Sequence, residues 1–283
     1  MEFVIIKKKK YEIRHFDTGG NSEGFIDYDK NKLGKVIFLS EKRKIDKNLD
    51  TEHYSENPWR EIEIHKQCNK LIKSKLTTNL VKFYDYHIYE NKIVIIMEKY
   101  DGNLKKMITE FTLKQLWSVM AQLFFTLTIL QDKLGFFQGD FGLTNILYKK
   151  INKTPKFFYY NFNNKKYRVP NEGYKIAVSD YGNAIIKTFE IAKYEKEYYY
   201  EALSKRNESY EILLLLVQNI RKNIMSEEYN DIFSKKLQIL NNYIYENVKF
   251  NLYNSFYTIN NECSKPANPT EIINKLYDDY ISK

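Results

Sequence analysis

Across the first hundred residues, β-branched and aromatic positions fall in short runs divided by Gly, Asn, Asp and Lys. The runs YEIRHF (11–16), GFIDYD (24–29), KVIFLS (35–40), LVKFYDYHIY (80–89) and KIVIIMEKY (92–100) predict strands. One segment breaks that rhythm. In NPWREIEIHKQCNKLI (57–72), Ile64, Cys68 and Leu71 recur on one face, Asn57 stands as an N-cap, Pro58 takes the first helical position and Glu61 falls in the first turn, so a helix is predicted.

Past Tyr100 the apolar period lengthens. Leu116, Met120, Leu123, Phe124, Leu127 and Leu130 recur at three and four and make the broad stripe of a core-facing helix. ESYEILLLLVQNIRKNI (208–224) is apolar nearly all round and predicts a central helix, with further helical patterns at 231–248 and 269–281. Between them lies a strand-like interlude from Asn145 to Ala184, in which YKIAV runs straight into Ser179, Asp180, Tyr181 and Gly182. No repeat of solenoid length interrupts the pattern. The chain therefore predicts an α+β fold, strand-rich over 1–100 and helix-rich over 101–283.

Composition narrows the picture only a little. The 283 residues are 43% hydrophobic with 10 Gly and 5 Pro, enough for a substantial core and too few breakers for long linkers. The net charge of +9 suits a polyanionic partner, but the lysines are scattered, as on a solvated basic surface. Cys68 and Cys263 have no CxxC spacing and no His nearby at metal spacing, so neither a disulfide framework nor a zinc site is expected, and a reducing, intracellular setting is. The start MEFVIIKKKKYEI puts its lysines after the apolar run, the wrong order for a secretory signal, and no run reaches the length of a membrane span.

The chemistry concentrates in FFQGDFGLTNILY (136–148). It presents Asp140 and then Asn145, five positions on, from a turn between two apolar segments, and Asp180-Tyr181-Gly182 closes a later strand. This order resembles the H-R-D-x-x-x-x-N loop and D-F-G motif of the eukaryotic-type protein kinases. The resemblance extends upstream to GGNSEGFI, where Gly19, Asn21, Gly24 and Ile26 follow the register of the family's glycine-rich loop.

By that resemblance the fold is two-lobed, with an N-terminal antiparallel sheet carrying one helix (1–100) and a mainly helical C-terminal lobe (101–283). ATP and Mg²⁺ are the implied cofactors. Asp180 and Asn145 are the implied metal ligands, because hard cations take oxygen donors, and Asp140 orients the acceptor hydroxyl. Lys42 is expected at the α- and β-phosphates, with Ser40 two residues earlier beside the adenine; Lys35 and Lys44 compete for that role. Glu61 is the implied partner of the lysine, with Glu63 the alternative. Met97 guards the back of the adenine pocket, Glu98, Lys99 and Tyr100 form the hinge to the base, and Glu211 supports the catalytic loop.

Several positions depart from the family. Gln138 and Gly139 stand where His and Arg usually precede the catalytic Asp, Gly142 stands where Ser/Thr kinases carry a lysine for the γ-phosphate, and no A-P-E follows. The long stretch between Asn145 and Asp180 resembles divergent, haspin-like kinases encoded by large DNA viruses. The resemblance thus implies a Ser/Thr protein kinase of a virion or host cell, in cytoplasm or nucleus, with a protein substrate that is basic or a nucleoprotein. An aminoglycoside- or choline-kinase-like phosphotransferase is the enzymatic rival, and a pseudokinase scaffold is the non-enzymatic one. Direct nucleic-acid binding, motivated by charge and by tyrosines among lysines, ranks below these as a main function. His15, His53, His65 and His87 fall outside the assigned loops.

Overall fold

The computed structural model describes residues 2–15, 23–39, 58–138, 141–162 and 164–187. Its largest sheet has five antiparallel strands in the order β3-β4-β5-β7-β6, formed by β3 (Arg14–His15), β4 (Glu23–Asp29), β5 (Lys32–Phe38), β6 (Phe83–Tyr89) and β7 (Lys92–Glu98). The β4–β5 turn is local in origin: Asp29 Oδ1 accepts the Asn31 N–H at 2.8 Å, an Asx-type turn, and an irregularity between Asp27 and Asp29 then shifts the register of the two strands by one. β7, the apolar KIVIIME, lies between two neighbours and is buried over six of its seven positions.

Each face of this sheet is covered. Helix α1 (Pro58–Lys73) lies on one, packing Ile62 with Ile37, Phe83, Ile93, Ile95 and Met97. The opposite face is closed by a hairpin of β1 (Phe3–Ile6) and β2 (Lys9–Glu12), whose Val4 and Ile6 meet Ile26, Val36, Val94 and Ile96. The apolar–basic start of the chain is therefore a structural hairpin, turning on Lys7 and Lys8 at φ 48° and 67°. YEIRHF, expected as one strand, is divided between β2 and β3, because buried Ile13 anchors the crossing from hairpin to sheet and donates its N–H to Glu2 O at 3.0 Å.

The second layer is built on helix α3 (Leu113–Leu134). Thr112 and Gln115 form a reciprocal capping box at its start, and Gly135, at φ 58°, ends it in the left-handed region. All six positions of the predicted stripe are buried at its centre. α3 is long and apolar enough by composition to cross a membrane, which the sequence reading did not credit, yet most of it is packed inside the fold, as a core helix is. Short β8 (Gly102–Asn103) and α2 (Leu104–Met107) precede it.

After α3 the chain makes a 3-10 turn at Leu143–Asn145. There follow β9 (Ile146–Lys150), the hairpin β10 (Phe157–Phe162) and β11 (Lys165–Pro170), and β12 (Tyr174–Val178). β12, β9 and β8 form a three-stranded antiparallel sheet. A buried polar network locks these parts together. The Asn79 amide donates to Gln122 Oε1 and Ile176 O, both at 2.8 Å, and accepts from the Tyr160 hydroxyl, while Gln122 Nε2 donates to Tyr174 O at 2.9 Å. Val178 N–H donates to Asn79 O at 3.1 Å, so the end of β12 is delivered beside the sheet that α1 covers. The helices expected at 208–224, 231–248 and 269–281 lie outside the described residues.

Candidate functional site

Register decides which side chains meet between α1 and the end of β12. Lys35 in β5 pairs with Phe25 in β4 and Ile95 in β7, and cross-strand partners share a face, so its side chain leaves the sheet on the α1 side. There its Nζ donates to Glu61 Oε2 at 3.2 Å and Oε1 at 3.3 Å, and to Asp180 Oδ1 at 2.8 Å. The Lys35 side chain is 11% exposed and that of Glu61 2%. Burial, the largest single influence, would raise the Glu61 carboxyl, but the Lys35 charge and hydrogen bond together with His65 outweigh it and hold the group at about 2. The His65 contribution is electrostatic in character, since Nε2 lies 3.8 Å from Oε1, beyond hydrogen-bond reach. Glu61 also sits in the first turn of α1, where the helix dipole favours an anion.

Asp180 is held from behind. Its φ of 57° lies in the left-handed region, uncommon for a residue with a side chain. Gln138 secures that conformation, donating Nε2 to Asp180 O at 2.8 Å and to Ser179 O at 3.3 Å from a fully buried position. Tyr181 then turns inward. It packs edge-on to His65 at 4.8 Å and to Phe136 at 5.9 Å, and donates its hydroxyl to Val178 O at 2.8 Å. Burial pushes the neighbouring Cys68 thiol up to about 12, against a smaller opposing hydrogen bond with Tyr181, so this cysteine is a packing residue and not a nucleophile.

Asn145 is brought to the same end of β12. Its carbonyl accepts from Ser179 N–H and Ser179 Oγ, both at 2.9 Å, so the 3-10 turn and the Asp180 loop are stitched together one residue before Asp180. The pair offers a carboxylate and an amide oxygen, and the Asp180 side chain is 42% exposed. Among the described residues no three His, Cys, Asp or Glu side chains gather to hold a metal by themselves. Two hard oxygen donors nevertheless fit Mg²⁺, which takes one or two protein ligands and completes its shell with phosphate and water.

Other expected residues land elsewhere. Ile26 does not face this site. It pairs with Gly34 and is fully buried on the opposite face, beneath the N-terminal hairpin, because β side chains alternate and Phe25 has the Lys35 side. Gly24 lies inside β4 and answers to packing: a Cβ there would come 2.5 Å from Ile13 Cγ2. Met97 is buried beside Ile37, Ile95 and Tyr100 on the α1 face. Glu98 turns its carboxylate to Lys149 at 3.3 Å, Lys175 at 3.5 Å and the Tyr100 hydroxyl at 3.2 Å. The Glu98 and Lys99 N–H groups are bonded to Lys82 O and Asn31 O. Gly19, Asn21, Ser40, Lys42, Lys44, Gly139, Asp140 and Glu211 lie outside the described residues.

Sequence reasoning had placed Lys35 only as a competitor and had missed Phe25 and the supporting role of Gln138. The signal for Lys35 was the Asp29–Asn31 turn, which places it in mid-strand while Lys42 falls beyond the end of β5 at Phe38. A regular hairpin from that turn would set Ile26 opposite Lys35, and only the irregularity between Asp27 and Asp29 makes Phe25 its partner.

No protein-family profile matches the chain. Over 90 residues it is 33% identical to the Frog virus 3 (isolate Goorha) protein named "Putative serine/threonine-protein kinase 019R", a match that covers 30% of this chain. The match spans only 10% of that viral protein's length.

Proposed function

We propose that the chain is an ATP- and Mg²⁺-dependent protein kinase that transfers a phosphoryl group to Ser or Thr, built as two lobes that divide near residue 100. One observation carries the reading: Lys35, Glu61 and Asp180, from a strand, a helix and a loop 145 residues from the strand lysine, converge within 3.3 Å. A buried lysine pinned by a buried glutamate beside a half-exposed aspartate is what anchoring a polyphosphate next to its metal requires. The five-strand order β3-β4-β5-β7-β6 with α1 between β5 and β6, and the likeness to the viral protein named as a kinase, support it further.

In this reading Lys35, not Lys42, meets the α- and β-phosphates, and Glu61 fixes its position. Asp180 and Asn145 hold Mg²⁺, whose charge offsets that of the phosphates during transfer. Asp140 orients the acceptor hydroxyl and takes its proton. Leu33, on the Lys35 face, takes the adenine-side place first assigned to Ser40, and Phe25 the place that Ile26 had in the register of the glycine-rich loop, with Met97 behind them. Because the N–H groups of Glu98 and Lys99 are committed, the hinge donor to the base is assigned to Tyr100. Gln138 does the work of the usual histidine by holding the Asp180 backbone.

The test is transfer of labelled γ-phosphate from Mg-ATP by the purified chain, offered myelin basic protein and histone in one arm and choline and an aminoglycoside in another. Label in the proteins alone, lost in Asp180→Ala, is the expected result. Label in a small amino-alcohol alone would establish the rival phosphotransferase, and no turnover together with no Mg-ATP binding would establish the scaffold.

A further inference from the structure

The hairpin β10–β11 interrupts the chain between the two proposed metal ligands, and its two faces have opposite character. Phe158, Tyr160, Tyr167 and Val169 point inward and are buried. Phe125 of α3 stacks on Tyr160 at 4.9 Å and lies 4.8 Å from Tyr167, which fixes the ribbon rigidly to the core. The alternate positions therefore face out: Phe157, Tyr159 and Asn161 on one strand, Lys166 and Arg168 on the other, with Tyr159 directly opposite Arg168. Tyr159 is 48% exposed, among the few large apolar side chains of the described residues left so open.

The outer face carries two cations, Lys166 and Arg168, and no acid. It lies in a basic stretch, residues 141 to 171 having seven lysine and arginine residues and no acid, of which Lys149 and Lys153 are paired with Glu98 and Glu172 away from this face. The rings and cations are interleaved. Lys166 Nζ lies 4.8 Å from the Tyr159 ring centre, the Arg168 guanidinium lies 5.3 Å from that of Phe157, and the two rings are 6.5 Å apart and tilted.

We propose that this outer face is a binding surface for single-stranded nucleic acid, separate from the nucleotide site. A base displaces Lys166 from Tyr159 or Arg168 from Phe157 and stacks in its place, and the displaced cation moves to the adjoining phosphate. Both halves of the surface are then used, aromatic for base and cation for backbone. An acidic peptide would satisfy the cations but has no flat group for the two rings, so the ring–cation alternation favours the nucleic acid. The proposal does not depend on catalysis, and its failure leaves the kinase reading untouched.

The experiment follows fluorescence anisotropy of a labelled 15-mer of deoxythymidine and a labelled 15-mer of uridine as the full chain is added, across a salt series. An aspartate- and glutamate-rich peptide of equal charge is the comparison ligand. The expected result is binding of at least one oligonucleotide in preference to the peptide. Lys166→Glu with Arg168→Glu should weaken it at least tenfold and flatten the salt dependence by about 1.4 in log–log slope, the value for two lost phosphate contacts on a single strand. Tyr159→Ala with Phe157→Ala should weaken it by roughly five- to a hundredfold with the slope unchanged, the signature of lost stacking. All four substitutions are at solvent-facing positions, and an unchanged thermal midpoint establishes that the fold survives. Failure of the wild-type chain to bind either oligonucleotide overturns the proposal. So does equal binding of the peptide, or a ribbon variant that binds as the wild type does.

Discussion

At the residue scale, the account rests on where one lysine points. Lys35 is the cation that the fold encloses with Glu61 and Asp180, and the pairing has a pH signature. The folded Glu61 carboxyl is at about 2, against 4.5 for the ordinary group, so the stability it contributes is fully present above about pH 4.5 and is lost as pH falls through 2. Glu61→Gln should therefore lower stability at neutral pH and flatten its decline between pH 4.5 and pH 2, read from urea midpoints at a series of pH values. A decline in the variant as steep as in the wild type would deny Glu61 its role. The alternation in β4 makes a second prediction. Ile26→Ala should cost about 2–4 kcal/mol of stability by leaving a hole under the N-terminal hairpin, while leaving the KM for ATP near its wild-type value. Phe25→Ala should do the reverse, raising KM severalfold with little loss of stability, and the opposite pattern in kinetic and denaturation data would restore Ile26 to the site.

At the scale of elements, legibility followed the strength of local signals. α1 could be read from its start signals and stripe, and α3 from its 3.6-residue stripe alone, and both were found where expected. The core strands β4, β5, β6 and β7 could be read from β-branched runs. The hairpin β1–β2 could not, because lysines occupy its turn at positive φ where Asn and Gly usually signal one. The long stretch after Asn145 looked like an insertion. Its role in the core follows from tertiary partners that no local pattern announces, above all Asn79, which joins α3, β10 and β12 through three side-chain bonds. Asn79→Ala should remove the side-chain partner of the Tyr160 hydroxyl and of Ile176 O, while Gln122 Oε1 keeps the Ile176 N–H, and cost roughly 3 kcal/mol, with Tyr160→Phe costing about 1–2 kcal/mol, in denaturant unfolding. Two near-neutral variants would show that the network is incidental to stability.

For the molecule as a whole, the sequence supplied the order of the parts more securely than their facing. Asp180 and Asn145 were picked from short motifs, and the folded chain brings their loops together through Ser179. Glu61 was picked for a lysine partner, and the lysine it has is Lys35. What sequence could not give was strand register, since a shift of one position moves a side chain from the cleft to the opposite face, and that is how Phe25 and Ile26 came to be exchanged. The scattered lysines looked like a uniform solvated surface. Folding gathers part of them, with aromatic residues, onto the single exposed face of β10–β11.

The central claim is that Lys35 and Asp180 together define the nucleotide site, and calorimetric titration of Mg-ATP into the wild-type chain, Lys35→Ala, Lys42→Ala and Asp180→Ala tests it most directly. The account predicts saturable binding by the wild type and by Lys42→Ala, at least tenfold weaker binding by Lys35→Ala, and loss in Asp180→Ala of the part that depends on Mg²⁺. Wild-type affinity in Lys35→Ala with loss in Lys42→Ala would contradict it.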